Sequence, residues 1–338
     1  MDKTTGLPSA VLFLRQVLMK MRLLLSFPPA VTYNVLIVLD HFMPLGGSED
    51  LMNIHRILIA GGDIRQLYCA ARLADVYEAA VLGFDDNDLI AELVPETADI
   101  SAGHSFDCAV LPVPPLNPDG TLFAPCSAAA VELSAVNALL APNSTVFTGG
   151  SAEKLSDLFS GHRICDYLVR EDMSLKNAVP TAEGAVQLAL EELPVTLSGS
   201  KVLIAGMGRI GTALAEILKG FGADITAAVH TPRGAAKARL HGIGSVPVRR
   251  LGGDYKVVFN TVPKLIFNED MLRRFGKDSL FIDLASAPHG IDFIAAEALG
   301  IRALAANGLP GKTAPVTAGE IIAETLSSMI EEGGGSYE

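Results

Sequence analysis

Between Lys201 and Gly220 a short apolar run, a glycine turn and an amphipathic helix follow one another, and this order constrains the fold more than any other feature of the chain. Val202 to Ala205 are wholly apolar, as expected of a strand buried in a parallel sheet. Gly206, Gly208 and Gly211 then give G-x-G-x-x-G spacing around Arg209 and Ile210. The first glycine permits the tight turn, the second lets the backbone approach a pyrophosphate, and the third lets helix and strand pack closely. Ile210, Ala213, Leu214, Ile217 and Leu218 recur at helical spacing, and Gly220 and Gly222 mark a stop. Such a helix offers unpaired N–H groups and a partial positive charge to phosphate. The segment is read as a dinucleotide-binding turn.

The end of the next strand, Asp224 to Val229, selects the nucleotide. A carboxylate near position 230 would bond the ribose 2′-hydroxyl of NAD. The chain has His230, Thr231, Pro232 and Arg233 there, with Lys237 and Arg239 beyond. That set suits a 2′-phosphate, so NADP is the expected cofactor. The alternative is that Arg233, Lys237 and Arg239 form only a solvated helix face.

With 338 residues the chain has room for about two domains. A formal charge of −12 argues against nucleic acid or an anionic membrane as partner. An anionic substrate therefore needs a local positive pocket. Cys69, Cys108, Cys126 and Cys165 are scattered without a C-x-x-C pair, which fits reduced cytoplasmic thiols rather than disulfides or a metal site. Val11 to Leu39 are apolar-rich but broken by Arg15, Lys20, Arg22, Pro28 and Pro29, too short a run to span a bilayer and a poor match to a signal peptide. Residues 1–51 are expected to be an extension outside the fold.

The fold class expected is α/β: two doubly wound Rossmann-like domains with a cleft between them and a C-terminal helix returning to the first. His55 to Ala60 read as a strand, Gly61-Gly62-Asp63 as a turn, Ile64 to Leu73 as a helix and Val81 to Phe84 as the next strand, ending in Asp85-Asp86. Here Asp63 and Gln66 replace the second and third glycines. A carboxylate at the turn repels pyrophosphate, so this half is assigned to substrate. Further strands are read at Asp107 to Leu111, Thr145 to Thr148 and Arg163 to Leu168, with a Pro-rich cleft loop from Pro112 to Pro125. Asn177 to Leu193 read as a connecting helix with Pro180 near its first turn and Glu183 in its dipole-favoured region. Lys256 to Asn260, Ser279 to Leu284 and Ile301 to Leu304 continue the second sheet. Pro315 opens the returning helix, with Thr313 as its cap. The expected division is a substrate domain over 52–176, completed by 313–331, and an NADP-binding domain over 177–312.

Four more segments carry a resemblance: Pro180-Thr181-Ala182-Glu183-Gly184-Ala185, Asn260-Thr261-Val262-Pro263, Ile282-Asp283-Leu284-Ala285-Ser286, and Gly308-Leu309-Pro310-Gly311-Lys312-Thr313-Ala314-Pro315 with Thr317-Ala318-Gly319. With Gly61-Gly62-Asp63 and Arg65-Gln66, the set resembles the A-subunit family of dipicolinate synthase over about residues 53–330. The family's Pro-Gly-Gly is Pro288-His289-Gly290 here, so His289 reads as a loop residue. The resemblance implies an enzyme of endospore formation in the mother-cell cytoplasm, oxidising dihydrodipicolinate to pyridine-2,6-dicarboxylate with NADP. It also implies a partner, the flavoprotein-like B-subunit of dipicolinate synthase.

Aromatising such a ring removes a hydride and a proton, and chiefly requires that a dianion be positioned. Arg65 and Lys312 are the expected carboxylate holders, and Asp63 or Glu183 the proton acceptor. Arg65 has the alternative of pairing with Asp63 or Asp85, Lys312 of bonding loop carbonyls, and Glu183 of serving only the helix dipole. Thr261, Val262, Pro263, Ala285 and Ser286 are placed beside the adenosine or nicotinamide ribose. Two other readings stand: a dehydrogenase of a different small acid, or a nucleotide-binding scaffold whose partner is catalytic. Self-association is left open.

Overall fold

The computed structural model describes residues 54–85, 93 and 105–333. The N-terminal extension and Asp86 lie outside these residues. Parallel strands β1 (Arg56–Ala60), β2 (Glu78–Leu82), β3 (Phe106–Val110), β4 (Leu140–Thr148) and β5 (Arg163–Asp166) form one sheet in the order β2-β1-β3-β4-β5. A second parallel sheet contains β6 (Lys201–Ala205), β7 (Asp224–Val229), β8 (Gly244–Pro247), β9 (Val257–Asn260), β10 (Leu280–Asp283) and β11 (Arg302–Ala305). Its order, β11-β10-β9-β6-β7-β8, is the doubly wound dinucleotide-binding topology.

The first sheet carries α1 (Ile64–Leu73), α2 (Leu133–Ala138) and α3 (Ala152–Leu155). The long α4 (Glu171–Glu192) leads to the second lobe with α5 (Arg209–Gly220), α6 (Pro232–Leu240), α7 (Glu269–Leu272) and α8 (Phe293–Leu299). Short α9 (Leu309–Thr313) and long α10 (Pro315–Glu331) close the chain. Strand residues alternate between two buried faces. Ile57, Ile59, Val81 and Val110 meet Leu67 of α1 and Ile322 and Leu326 of α10, whereas Leu58, Leu82, Ala109 and Val146 meet Leu133 and Val136. Val202, Ile204 and Phe259 likewise pack under α4 and α5, while Leu203, Val258 and Phe281 face Phe267 and Phe275. Both sheets are thus covered on both sides, as all-parallel sheets require.

Expectations for three residues are corrected. The connecting helix begins at Glu171, so Pro180 is a buried interior residue rather than a first-turn one. Its first-turn acids are Glu171 and Asp172, which removes the helix-dipole role from Glu183. Thr313 does not cap α10: Ala314 stands at that position without a side-chain bond. A Cβ on Gly184 would meet the Thr313 hydroxyl at 2.6 Å, so Thr313 packs α9 onto α4.

Arg170, at the start of α4, binds Asp172 and, past the end of α10, Glu332. Its guanidinium holds the Asp172 carboxyl below the usual range. The contribution of this pair is therefore present at neutral pH and fades as acid titrates the lowered pKa. None of the four cysteines is in a disulfide, and burial pushes the Cys69 and Cys108 thiols up. Among the described residues no helix is long and apolar enough to cross a membrane.

The return of α10 depends on Gly319, where an added Cβ would lie 2.5 Å from the Arg65 carbonyl oxygen and 3.0 Å from the Cys69 nitrogen. Gly319→Ala should lower stability by about 1–3 kcal/mol through this overpacking, although alanine favours helices. Urea unfolding reads the sign, and a raised midpoint would contradict the packing account.

Candidate functional site

The two glycine turns differ in what their backbone groups can reach. In the second lobe Gly206 adopts φ +94°, and a Cβ there would strike Thr261 Oγ1 at 2.6 Å and Val262 Cγ2 at 2.8 Å. A Cβ on Gly211 would come within 2.0 Å of the Gly206 carbonyl oxygen, which shows how tightly α5 is drawn onto the turn. Gly208 has nothing within 4 Å of its would-be Cβ, and no side chain caps α5. The first-turn N–H groups therefore open outward, as a phosphate cradle requires.

In the first lobe two of the corresponding N–H groups are taken. The Gly62 N–H donates to the Phe123 carbonyl at 2.6 Å, and the Asp63 carboxylate accepts from the Arg65 N–H at 3.1 Å. Asp85, after β2, accepts from Ser127 Oγ at 2.9 Å and the Ala128 N–H at 3.1 Å, and the Ser127 bond holds its carboxyl below the usual range. The Pro-rich loop thus lies over this turn and closes it.

A cavity of about 440 Å³ opens at the second lobe's turn. Gly206, Gly208, Arg209, His230, Thr231, Arg233 and Val262 all line it, as does Lys237, whereas Arg239 does not. Thr231 caps α6 by accepting from the Gly234 N–H at 3.1 Å, leaving its hydroxyl hydrogen for a ligand. No acid stands at the end of β7. Glu171 nevertheless reaches the cavity from α4 and accepts from Arg209 Nη1 at 2.6 Å.

Thr261 follows β9 and donates from Oγ1 to the Ala205 carbonyl at 2.8 Å, fixing that strand end beside the turn, and Pro263 is exposed just beyond. Ile210 packs against the core. Ala285 is buried and Ser286 exposed after β10. Between these loops lies a network that sequence reasoning missed. Fully buried Asp283 accepts from Asn260 Nδ2 at 2.8 Å, the Gly290 N–H at 2.8 Å and the Ala285 N–H at 3.0 Å. It pins the loop that carries Ala285 and Ser286. In the sequence Asn260 and Asp283 stand only as members of the resemblance-carrying segments, Asp283 as an acid ending an apolar run. His289, at φ +68°, has Nδ1 at 3.7 Å from Asp283 Oδ2.

In the first lobe Asp63 and Arg65 form a two-point ion pair, Nε to Oδ1 at 2.8 Å and Nη2 to Oδ2 at 2.9 Å. Nη2 also donates to the Val113 carbonyl at 3.1 Å. The structure thus realises the Asp63 pairing for Arg65, while Asp85 bonds elsewhere. A Cβ on Gly311 would lie 2.8 Å from Arg65 Nε and 3.0 Å from Asp63 Oδ2, so α9 rests directly on this pair. Lys312, the next residue, is exposed. Asp63, Arg65 and the Lys312 segment are therefore brought together. Glu183 is not with them: it lines a separate cavity between α4 and α5 with Val186, Leu190, Ile217 and Phe221.

Comparison with known proteins agrees with this geometry. Residues 56–168 match the model of the N-terminal domain of the dipicolinate synthase A-subunit. Residues 173–320 match that of the D-isomer specific 2-hydroxyacid dehydrogenase NAD-binding domain. The dipicolinate synthase A-subunit of Bacillus subtilis (strain 168) is 32% identical, covering 82% of this chain and 96% of that protein. The crystal structure of the Bacillus halodurans A-subunit has a TM-score of 0.73 at 27% identity, over 82% of this chain and 97% of its own. A transhydrogenase from Sinorhizobium meliloti, 14% identical with a TM-score of 0.61 over 82% of this chain and 93% of its own, shares the fold.

The two glycines make a paired test. Gly208→Ala, whose Cβ meets open space, should leave the melting temperature unchanged while lowering nicotinamide dinucleotide affinity at least about tenfold. Gly211→Ala should lower both. Unaltered binding in Gly208→Ala, read by calorimetry, would remove the turn from the cofactor site.

Proposed function

The chain belongs to the A-subunit family of dipicolinate synthase, with an NAD-binding dehydrogenase domain that marks it as an oxidoreductase, and from its site we propose an NADP-dependent oxidation of dihydrodipicolinate to dipicolinate. The observation that carries the proposal is the open glycine turn whose cavity is lined by His230, Thr231, Arg233 and Lys237, with no acid at the end of β7. The residues present fit a phosphorylated dinucleotide. Gly206 and Gly211 leave no room for side chains, Gly208 leaves open space, and α5 is uncapped. The turn and the first N–H groups of α5 would hold the pyrophosphate, and Thr231 and Arg233 the 2′-phosphate. Thr261, Val262 and Pro263 would flank one ribose, with Ala285 and Ser286 beside the other. NADP supplies the hydride acceptor when bound.

The substrate presents two carboxylates. In this reading Arg65 holds one, its guanidinium already oriented by Asp63 and Val113, and Lys312 holds the other from the adjoining segment. Conversion removes one hydride and one proton, and the ring gains aromatic stabilisation. A strong base is therefore unnecessary, and Asp63 takes the proton directly or through water. Fixing the ring is the larger part of the work. The flavoprotein-like B-subunit completes the enzyme in the mother-cell cytoplasm of a sporulating bacterium.

The test mixes this chain with freshly generated dihydrodipicolinate and NADP, with and without the B-subunit, and follows nicotinamide reduction and pyridine-dicarboxylate absorbance. Lys312→Met should lower kcat/KM roughly 10- to 100-fold, the equivalent of one charge-assisted hydrogen bond, with NADP affinity unchanged. An unaffected rate would remove Lys312 from the site. Arg233→Ala should weaken NADP about tenfold and leave NAD alone. Equal affinities for both cofactors before and after that change would contradict the assignment.

A further inference from the structure

One carboxylate at the Gly206–Gly211 turn has no part in the dinucleotide reading of that turn, and a role for it can be assigned only if that reading holds. Glu171 lines the same cavity as Gly208 and Arg233, although it comes from the first residue of α4 rather than from the second sheet. Its Oε2 accepts from Arg209 Nη1 at 2.6 Å. Arg209 is the first residue of α5, so its guanidinium stands beside the open N–H groups that would meet a pyrophosphate. The place of Glu171 is fixed by its neighbour. Arg170 is largely buried, binds Asp172 at 2.9 and 3.2 Å, and holds Glu332 beyond α10.

We propose that Glu171 is an internal competitor for Arg209, occupying its guanidinium until the phosphates of a dinucleotide displace it, and so sets cofactor affinity. Carboxylate and phosphate oxygens seek the same forked donors of an arginine. One N–H edge cannot serve both, and a carboxylate left beside arriving phosphates repels them. The side chains of Arg209 and Glu171 are 48% and 67% exposed, so solvent screens the pair and the competition is modest. The sign separates this role from plain scaffolding. A competitor weakens binding, whereas a carboxylate that merely positions Arg209 for phosphate strengthens it.

Calorimetric titration of the full chain with NADP reads that sign. Glu171→Gln should bind about three- to tenfold more tightly than wild type. The gain should shrink markedly when Arg209→Met is already present, because the contested guanidinium is gone. Unchanged or weaker binding by Glu171→Gln overturns the inference, as does a full gain in the Arg209→Met background. Wild-type protein that binds neither NADP nor NAD overturns instead the dinucleotide reading on which it rests.

Discussion

Close approach of α5 to the Gly206 carbonyl is the constraint on which the second lobe's chemistry depends. A single methyl at Gly211 would sit 2.0 Å from that oxygen, so strand, turn and helix can be joined here only by glycine. The result is a rigid, uncapped helix start aimed at the carboxyl ends of the strands. In the first lobe the same strand-turn-helix order ends differently. Asp63 caps α1 at the Arg65 N–H and the Phe123 carbonyl takes the Gly62 N–H, so fewer donors remain there for a phosphate. One turn is kept open and its counterpart is filled by the protein itself. In the proposed function that difference, rather than the shared fold, divides the labour between the lobes.

The two candidate sites both lie at topological switch points. The cavity at the second turn opens between the paired strands β6 and β9, from which the connections leave in opposite directions, and is flanked by Gly206 and Val262. The Asp63–Arg65 pair follows β1, at the switch point between the paired strands β1 and β3, and Arg65 bonds Val113 beyond β3. Gly311 in α9 rests against that pair while Leu309 joins the core under α4 and α5, so the connection itself brings the groups together. In a chain of net charge −12, a guanidinium oriented by its own carboxylate offers an anion a local and preorganised contact.

Local chemistry was legible in the sequence where period, turn residue and apolar run agreed. The bounds of α1 and β7 follow directly from the residues, as do the turn from Gly206 to Gly211 and the amphipathic α10. Long-range packing was not legible. The sequence places the helix start at Asn177 because proline at 180 fits near a first turn. Tertiary burial of Ala178, Thr181 and Ala185 carries the helix through it instead. The earlier turns thereby hidden include Glu171, whose place in the cofactor cavity depends on a fold contact with Arg209. Thr313 matched a capping pattern, yet its side chain is consumed by packing on Gly184. Asp283 showed only as a charge ending a strand. Its role in pinning the loop with Ala285 and Ser286 depends on Asn260 and Gly290, which the sheet and loop bring to it.

In the proposed arrangement the second lobe's turn holds the dinucleotide while Asp63, Arg65 and Lys312 hold a dicarboxylate facing it. A crystal structure with NADP and pyridine-2,6-dicarboxylate bound together tests this most directly. Pyrophosphate is expected on the first turn of α5, the 2′-phosphate beside Arg233, and carboxylates at Arg65 and Lys312. Dinucleotide seated at Gly61–Gly62, or a dicarboxylate bound away from both cations, would contradict it.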